Sequence, residues 1–151
     1  MEWIIRFIIV WIVFILLGGL KWKEFKVNVW CGILSMILHL SIDTFAIHMG
    51  FYKITNPIIS IFGSSIFFTL GPAFVVGMLF SMTIPQKKWA QVIHVLFYSV
   101  AFYIEEYTLI KTGGLKYINW IPYGSIQINI LSLITLSWFS IVFLKKGRPI
   151  E

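Results

Sequence analysis

Apolar residues in this chain fall into five long runs, and the short segments between them hold most of its charge. The first of these runs is almost uniformly branched and aromatic. A bilayer hydrocarbon core of about 30 Å needs roughly 20 residues of helix to cross it. Each run therefore predicts a membrane-spanning helix, over residues 3–20, 27–48, 58–83, 89–110 and 123–144. The expectation is all-α, an integral membrane bundle of five transmembrane helices forming one domain over residues 1–151.

The connections follow from local chemistry. Gly18-Gly19 and the basic segment 21–26 end the first helix, and Met49-Gly50 ends the second. Pro57 suits the first turn of the third helix, where a missing N–H goes unnoticed. Gly71-Pro72 falls near the middle of that helix and predicts a kink. Ser60, Ser64 and Gly71 are expected on one of its faces, where small residues permit close approach of a neighbour. A turn at 85–88 and a glycine- and aromatic-bearing loop at 111–122 complete the set. No internal repeat occurs, so an inverted-repeat transporter is not expected.

Composition agrees with lipid as the solvent. The chain is 59% hydrophobic and 12% charged, against about 45–50% and about 25% in soluble domains. Its formal charge of +6 would suggest nucleic acid in a soluble protein. Here the basic residues sit at the ends of apolar runs, where they anchor helices and set orientation, so nucleic acid is excluded as a partner. Lys21, Lys23, Lys26, Lys87, Lys88, Lys145, Lys146 and Arg148 fall on one side, against Arg6, Lys53, Lys111 and Lys116 on the other. The richer side belongs to the cytoplasm, which predicts the N-terminus out and the C-terminus in. The first run lacks a basic n-region and a small-residue cleavage site, and reads as a retained helix rather than a signal peptide. Cys31, the sole cysteine, reads as a small packing residue.

Ionisable groups inside a span are costly, which makes them candidates for chemistry. Ser35, His39 and Asp43 are spaced by four on the second helix and share a face. Gln91, His94, Tyr98 and Glu105 form a stripe on the fourth, with Glu106 turned about 100° from it. Ser125, Asn129, Ser132 and Ser140 add polar positions on the fifth. Asp43 and the two glutamates each lie roughly 7–8 Å from the outward end of their helix. They are candidates for one outer-leaflet pocket with His39 and His48, roofed by Tyr117, Asn119 and Trp120. The alternatives are structural, each carboxylate pairing with His39, His48 or Lys53 or snorkelling to the headgroups, or else a proton or ion pathway. The spacing matches no metal motif and no cofactor-binding motif, so neither metal nor cofactor is expected. His94 reads as an interfacial or hydrogen-bonded histidine.

The run Lys21-Trp22-Lys23-Glu24-Phe25, Asp43, the basic turn Pro85-Gln86-Lys87-Lys88, and Glu106, Gly113, Tyr117 and Trp120 form a sparse pattern. It resembles an uncharacterised family of small multi-pass membrane proteins of endospore-forming Gram-positive bacteria. The resemblance implies a bacterial cytoplasmic membrane and, through the Glu-x6-Gly-x3-Tyr spacing, singles out Glu106 where the face argument prefers Glu105. It implies no activity. The loop Tyr117-Ile118-Asn119-Trp120 departs from the family's Asn-Gly-Trp type.

Three functions are compatible with these residues. The least demanding is a non-enzymatic membrane protein that organises the envelope or binds a partner, with the lipid bilayer and a membrane protein or a second copy as its contacts. The second is an intramembrane enzyme acting on a lipid or isoprenoid, with Glu105 or Glu106 as acid and Asp43 as counterpart. The third is a small transporter or channel subunit, which would need to oligomerise to enclose a pore.

Overall fold

A computed structural model describes residues 2–17 and 22–147. Five helices run through the described residues: α1 (Glu2–Leu16), α2 (Trp22–His48), α3 (Ile66–Met82), α4 (Lys88–Thr112) and α5 (Pro122–Val142). Four short strands accompany them: β1 (Tyr52–Ile54), β2 (Ser60–Ile61), β3 (Ser64–Ser65) and β4 (Leu115–Tyr117). The expected ending at Gly18-Gly19 and the charges Lys21 and Arg148 lie outside the described residues.

Length and apolarity mark two helices as able to cross a membrane, α2 over Lys23–His48 and α5 over Pro122–Val142. The expectation of five spans goes beyond this. Helix α1 has 15 residues, about 22 Å of rise, and α3 is also short. Helix α4 has the length, but Gln91, His94, Glu105 and Glu106 dilute its apolar character.

The strands are the main departure from the expected pattern. Helices α2 and α4 end in the same way. The Gly50 N–H bonds Ile47 O and the Phe51 N–H bonds Ala46 O; the Gly113 N–H bonds Ile110 O and the Gly114 N–H bonds Leu109 O. This paired ending satisfies the last carbonyls of a helix while reversing the chain. It delivers β1 and β4 alongside each other as an antiparallel ribbon, with Tyr52 opposite Tyr117, Lys53 opposite Lys116 and Ile54 opposite Leu115. Alternation along a strand turns the tyrosines, Ile54 and Leu115 toward the bundle and leaves both lysines exposed.

The third helix starts at Ile66 rather than 58, and Pro57 precedes a hairpin instead of opening a helix. Strands β2 and β3 are joined by Phe62-Gly63, both with positive φ (51° and 89°). That is the backbone a two-residue hairpin of this hand requires, and glycine supplies half of it without strain. Ser60 and Ser64 therefore lie in a hairpin and not on a helix face. Gly71 does pack closely, against Phe7 of α1. The predicted break at Pro72 is a wide π-type turn over Thr69–Ala73. Its carbonyls find partners on neighbours: Trp11 Nε1 donates to Leu70 O and Ser35 Oγ to Ala73 O, as broken helices in apolar surroundings require.

Helix α2 packs along α3, with Gly77 against Ser35 and the Cys31 carbonyl, and α4 packs along α5. One core cluster beneath the ribbon joins Trp3, Ala46, Tyr52, Phe68, Leu109 and Leu115. Two others, around Phe80, Leu133 and Leu136 and around Phe14, Val75 and Met78, fill the rest of the bundle. At the end away from the ribbon, Lys146 pairs with Glu24 at 2.9 Å, and Gln91 donates to Gly147 O and Pro85 O.

Candidate functional site

The β1–β4 ribbon positions two carboxylates. Tyr52 donates its phenol proton to Asp43 Oδ1 at 2.6 Å, and Ser64, delivered by the β2–β3 turn, donates to Asp43 Oδ2 at 2.5 Å. Across the ribbon, Tyr117 donates to Glu106 Oε1 at 2.6 Å, joined by Ser125 at 2.7 Å. Trp120 Nε1 donates in turn to Ser125 Oγ at 2.6 Å. Asp43 is 6% exposed, so its charge depends on these donors rather than on water. Burial, then the neighbouring Asp43 charge, pushes the Tyr52 phenol far above the ordinary tyrosine range. Burial, then the bond to Glu106, does the same to Tyr117. Both phenols thus stay protonated and remain donors at any physiological pH.

Beneath the ribbon lies a cavity of about 110 Å³, several times the space one water requires. Asp43 and Glu106 both line it. The stripe Ser35, His39 and Asp43 on α2 and the stripe Ser125, Asn129 and Ser132 on α5 supply polar lining. Leu38, Ile42, Phe102, Ile128, Leu133 and Leu136 supply apolar lining. His39 Nε2 is 3.2 Å from Asp43 Oδ2 but poorly aligned, and it makes no hydrogen bond. Asn129 Nδ2 and the indole N–H of Trp3, another lining residue, are also buried without partners. Both donors to Glu106 fall on Oε1; among the described residues none reaches Oε2.

Of the residues expected from sequence, His39, Asp43, Glu106 and Trp120 come together around this cavity, and Tyr117 reaches it through Glu106. Glu105 does not. Its Oε1 accepts from Arg6 Nη1 at 2.5 Å, on the side of α4 facing α1. The face argument for Glu105 fails because Arg6, within the first apolar run, provides a counter-charge there. His48 and Asn119 are exposed and away from the cavity. Among the described residues no three His, Cys, Asp or Glu side chains gather as a metal-binding set. His94 belongs to a separate cluster, with Nε2 2.9 Å from Thr83 Oγ1 and Tyr98 joined to the same hydroxyl.

Sequence reading missed Tyr52 and the role of Ser64. A signal for Tyr52 existed: Tyr52-Lys53-Ile54 and Leu115-Lys116-Tyr117 each alternate apolar and charged residues, the period of a half-buried strand. Ser64 carried none, because only the hairpin brings it to Asp43. Compared with protein-family models, curated protein sequences and solved structures, the chain matches none.

Proposed function

We propose that this is a small, non-enzymatic, multi-pass membrane protein whose helical bundle binds a lipid-like amphiphile beneath the β1–β4 ribbon. The observation that carries the binding role is the shared cavity, in which two carboxylates held by tyrosine and serine donors sit against apolar walls. Sites for small organic molecules have this make-up, mostly apolar with a few oriented polar groups.

The membrane setting is supported by an inverted surface. Exposed side chains include Ile5, Ile9 and Leu16 on α1, Val92, Phe97 and Ile104 on α4, and Leu131, Ile134 and Trp138 on α5. The buried set includes Asn28, Asp43, Thr69, Ser81, Ser99 and Ser140. Water-soluble proteins rarely expose apolar surface on this scale, whereas lipid accommodates it. In this reading all five helices cross the bilayer, and the ribbon lies at the outer face of a bacterial cytoplasmic membrane, as the family resemblance implies. The lysines at the other end face the cytoplasm. Of the hairpin at 60–65, Ser64 and Ser65 are covered by protein, while Phe62 at its tip is exposed and apolar, as a lipid contact would be.

Topology is testable with single cysteines in a Cys31→Ser background. Lys53→Cys and Lys116→Cys should react with a membrane-impermeant maleimide on intact cells, and Lys23→Cys and Lys88→Cys only after lysis. Equal labelling of all four, or recovery of the protein in the soluble fraction, sinks the multi-pass reading.

A second reading, an enzyme acting on the bound amphiphile, draws on the free Oε2 of Glu106, which is available to take a proton. Turnover of a bound lipid that is lost in Glu106→Gln while binding persists would favour it.

A further inference from the structure

The polar atoms of the cavity divide into those already engaged and those left over, and the remainder describes a ligand. On the accepting side, Glu106 Oε2 has no donor among the described residues. On the donating side, Asn129 Nδ2 and Trp3 Nε1 are buried without acceptors, and Trp3 is 2% exposed. His39 Nε2, also without a partner, donates or accepts according to its tautomer and so does not choose between heads. All four residues line the same cavity. Asn129 follows Ser125 by four residues on α5, so it lies one helical turn below the hydroxyl that binds Glu106. A buried donor without a partner is costly, and a ligand that accepts from it while donating to Glu106 Oε2 answers both sides of the cavity.

We propose that the cavity takes an amphiphilic alcohol, with its hydroxyl donating to Glu106 Oε2 and accepting from Asn129 Nδ2; this rests on the amphiphile-binding reading above. A hydroxyl is the smallest neutral head that both donates and accepts. An ammonium only donates and leaves the Asn129 and Trp3 donors unanswered. A carboxylate only accepts and meets Asp43 and Glu106 as a like charge. An ether accepts but cannot reach Glu106 as a donor. The hydrocarbon part lies along Leu38, Ile42, Phe102, Ile128, Leu133 and Leu136.

The test uses the full chain in detergent with four probes of equal length: hexanol, hexylamine, hexanoate and an ether of the same size. Binding is followed by thermal stabilisation and by tryptophan fluorescence, because Trp3 and Trp120 line the cavity. Hexanol should bind about tenfold tighter than the ether, the equivalent of one hydrogen bond, and tighter than both charged probes. Asn129→Leu and Glu106→Gln should each erase that advantage. Unliganded melting and gel filtration establish that both variants fold, and the ranking on the unaltered protein stands whether they do or not. If hexylamine or hexanoate binds best, the hydroxyl assignment is overturned while amphiphile binding stands. If none of the four binds the folded protein, the amphiphile reading itself falls, and this assignment with it.

Discussion

Tyr52 and Tyr117 stand directly opposite each other across the β1–β4 ribbon, and each gives its phenol proton to a different carboxylate, Asp43 on α2 and Glu106 on α4. Two helices that share little direct contact are thereby tied through one pair of strands. A slip of one residue in the register would turn a strand's tyrosine outward and its lysine inward, so the ribbon's pairing and the state of the carboxylates are one feature.

Replacing either tyrosine by phenylalanine removes a donor from a carboxylate that water scarcely reaches. Tyr52→Phe should destabilise the protein by about 1.5–3 kcal/mol, the range for a hydrogen bond to a charged group. Tyr117→Phe should cost less, because Ser125 still donates to the same oxygen. Denaturant unfolding in detergent measures both. Equal and negligible effects would show that the ribbon does not support the carboxylates.

Alkaline pH gives a second test. The folded protein holds the protons of Tyr52 and Tyr117 more tightly than the unfolded chain does. Their contribution is therefore fully present below the ordinary tyrosine value of about 10 and is lost as pH rises beyond it. Stability should fall above about pH 10, and the fall should be shallower in Tyr52→Phe/Tyr117→Phe. Spectrophotometric titration should show phenols in the wild type that ionise only as the protein unfolds.

The two adjacent glutamates should behave differently. Glu105→Gln leaves Arg6 part-buried without its counter-charge and should destabilise by about 1–3 kcal/mol, with hexanol binding unchanged. Glu106→Gln should weaken hexanol binding. Arg6→Leu combined with Glu105→Leu should recover part of the loss seen in Glu105→Gln, which a double-mutant cycle on melting will quantify.

Gly63→Ala probes the route by which Ser64 reaches Asp43. Its φ of +89° disfavours a side chain, and an added Cβ would meet Ile47 at 3.2 Å. A loss of about 1–2 kcal/mol is expected from the backbone alone. If the hairpin sets the Asp43 contact, adding Ser64→Ala to Gly63→Ala should cost less than Ser64→Ala alone.

The helices were legible in the chain because burial in a bundle leaves a local signature: long apolar runs, interrupted by polar residues at intervals of four. His39 and Asp43 could be placed on one face from spacing alone, as could Ser125 and Asn129. The choice between Glu105 and Glu106 could not be made that way. Both are one step apart on α4, and what separates them is Arg6, 99 residues earlier in sequence from Glu105, on a different helix.

What the sequence alone determined is therefore the all-α character, the approximate helices and the polar stripes, since these depend on periodicity and on residues within a few turns of each other. Tertiary structure decided the ribbon partner of Tyr52, the hairpin that carries Ser64, the diversion of Glu105 to Arg6 and the joining of Asp43 and Glu106 around one cavity. Strand pairing and ion pairing bring together residues distant in the chain, and their energies depend on which groups meet after the bundle closes. No local pattern records that meeting.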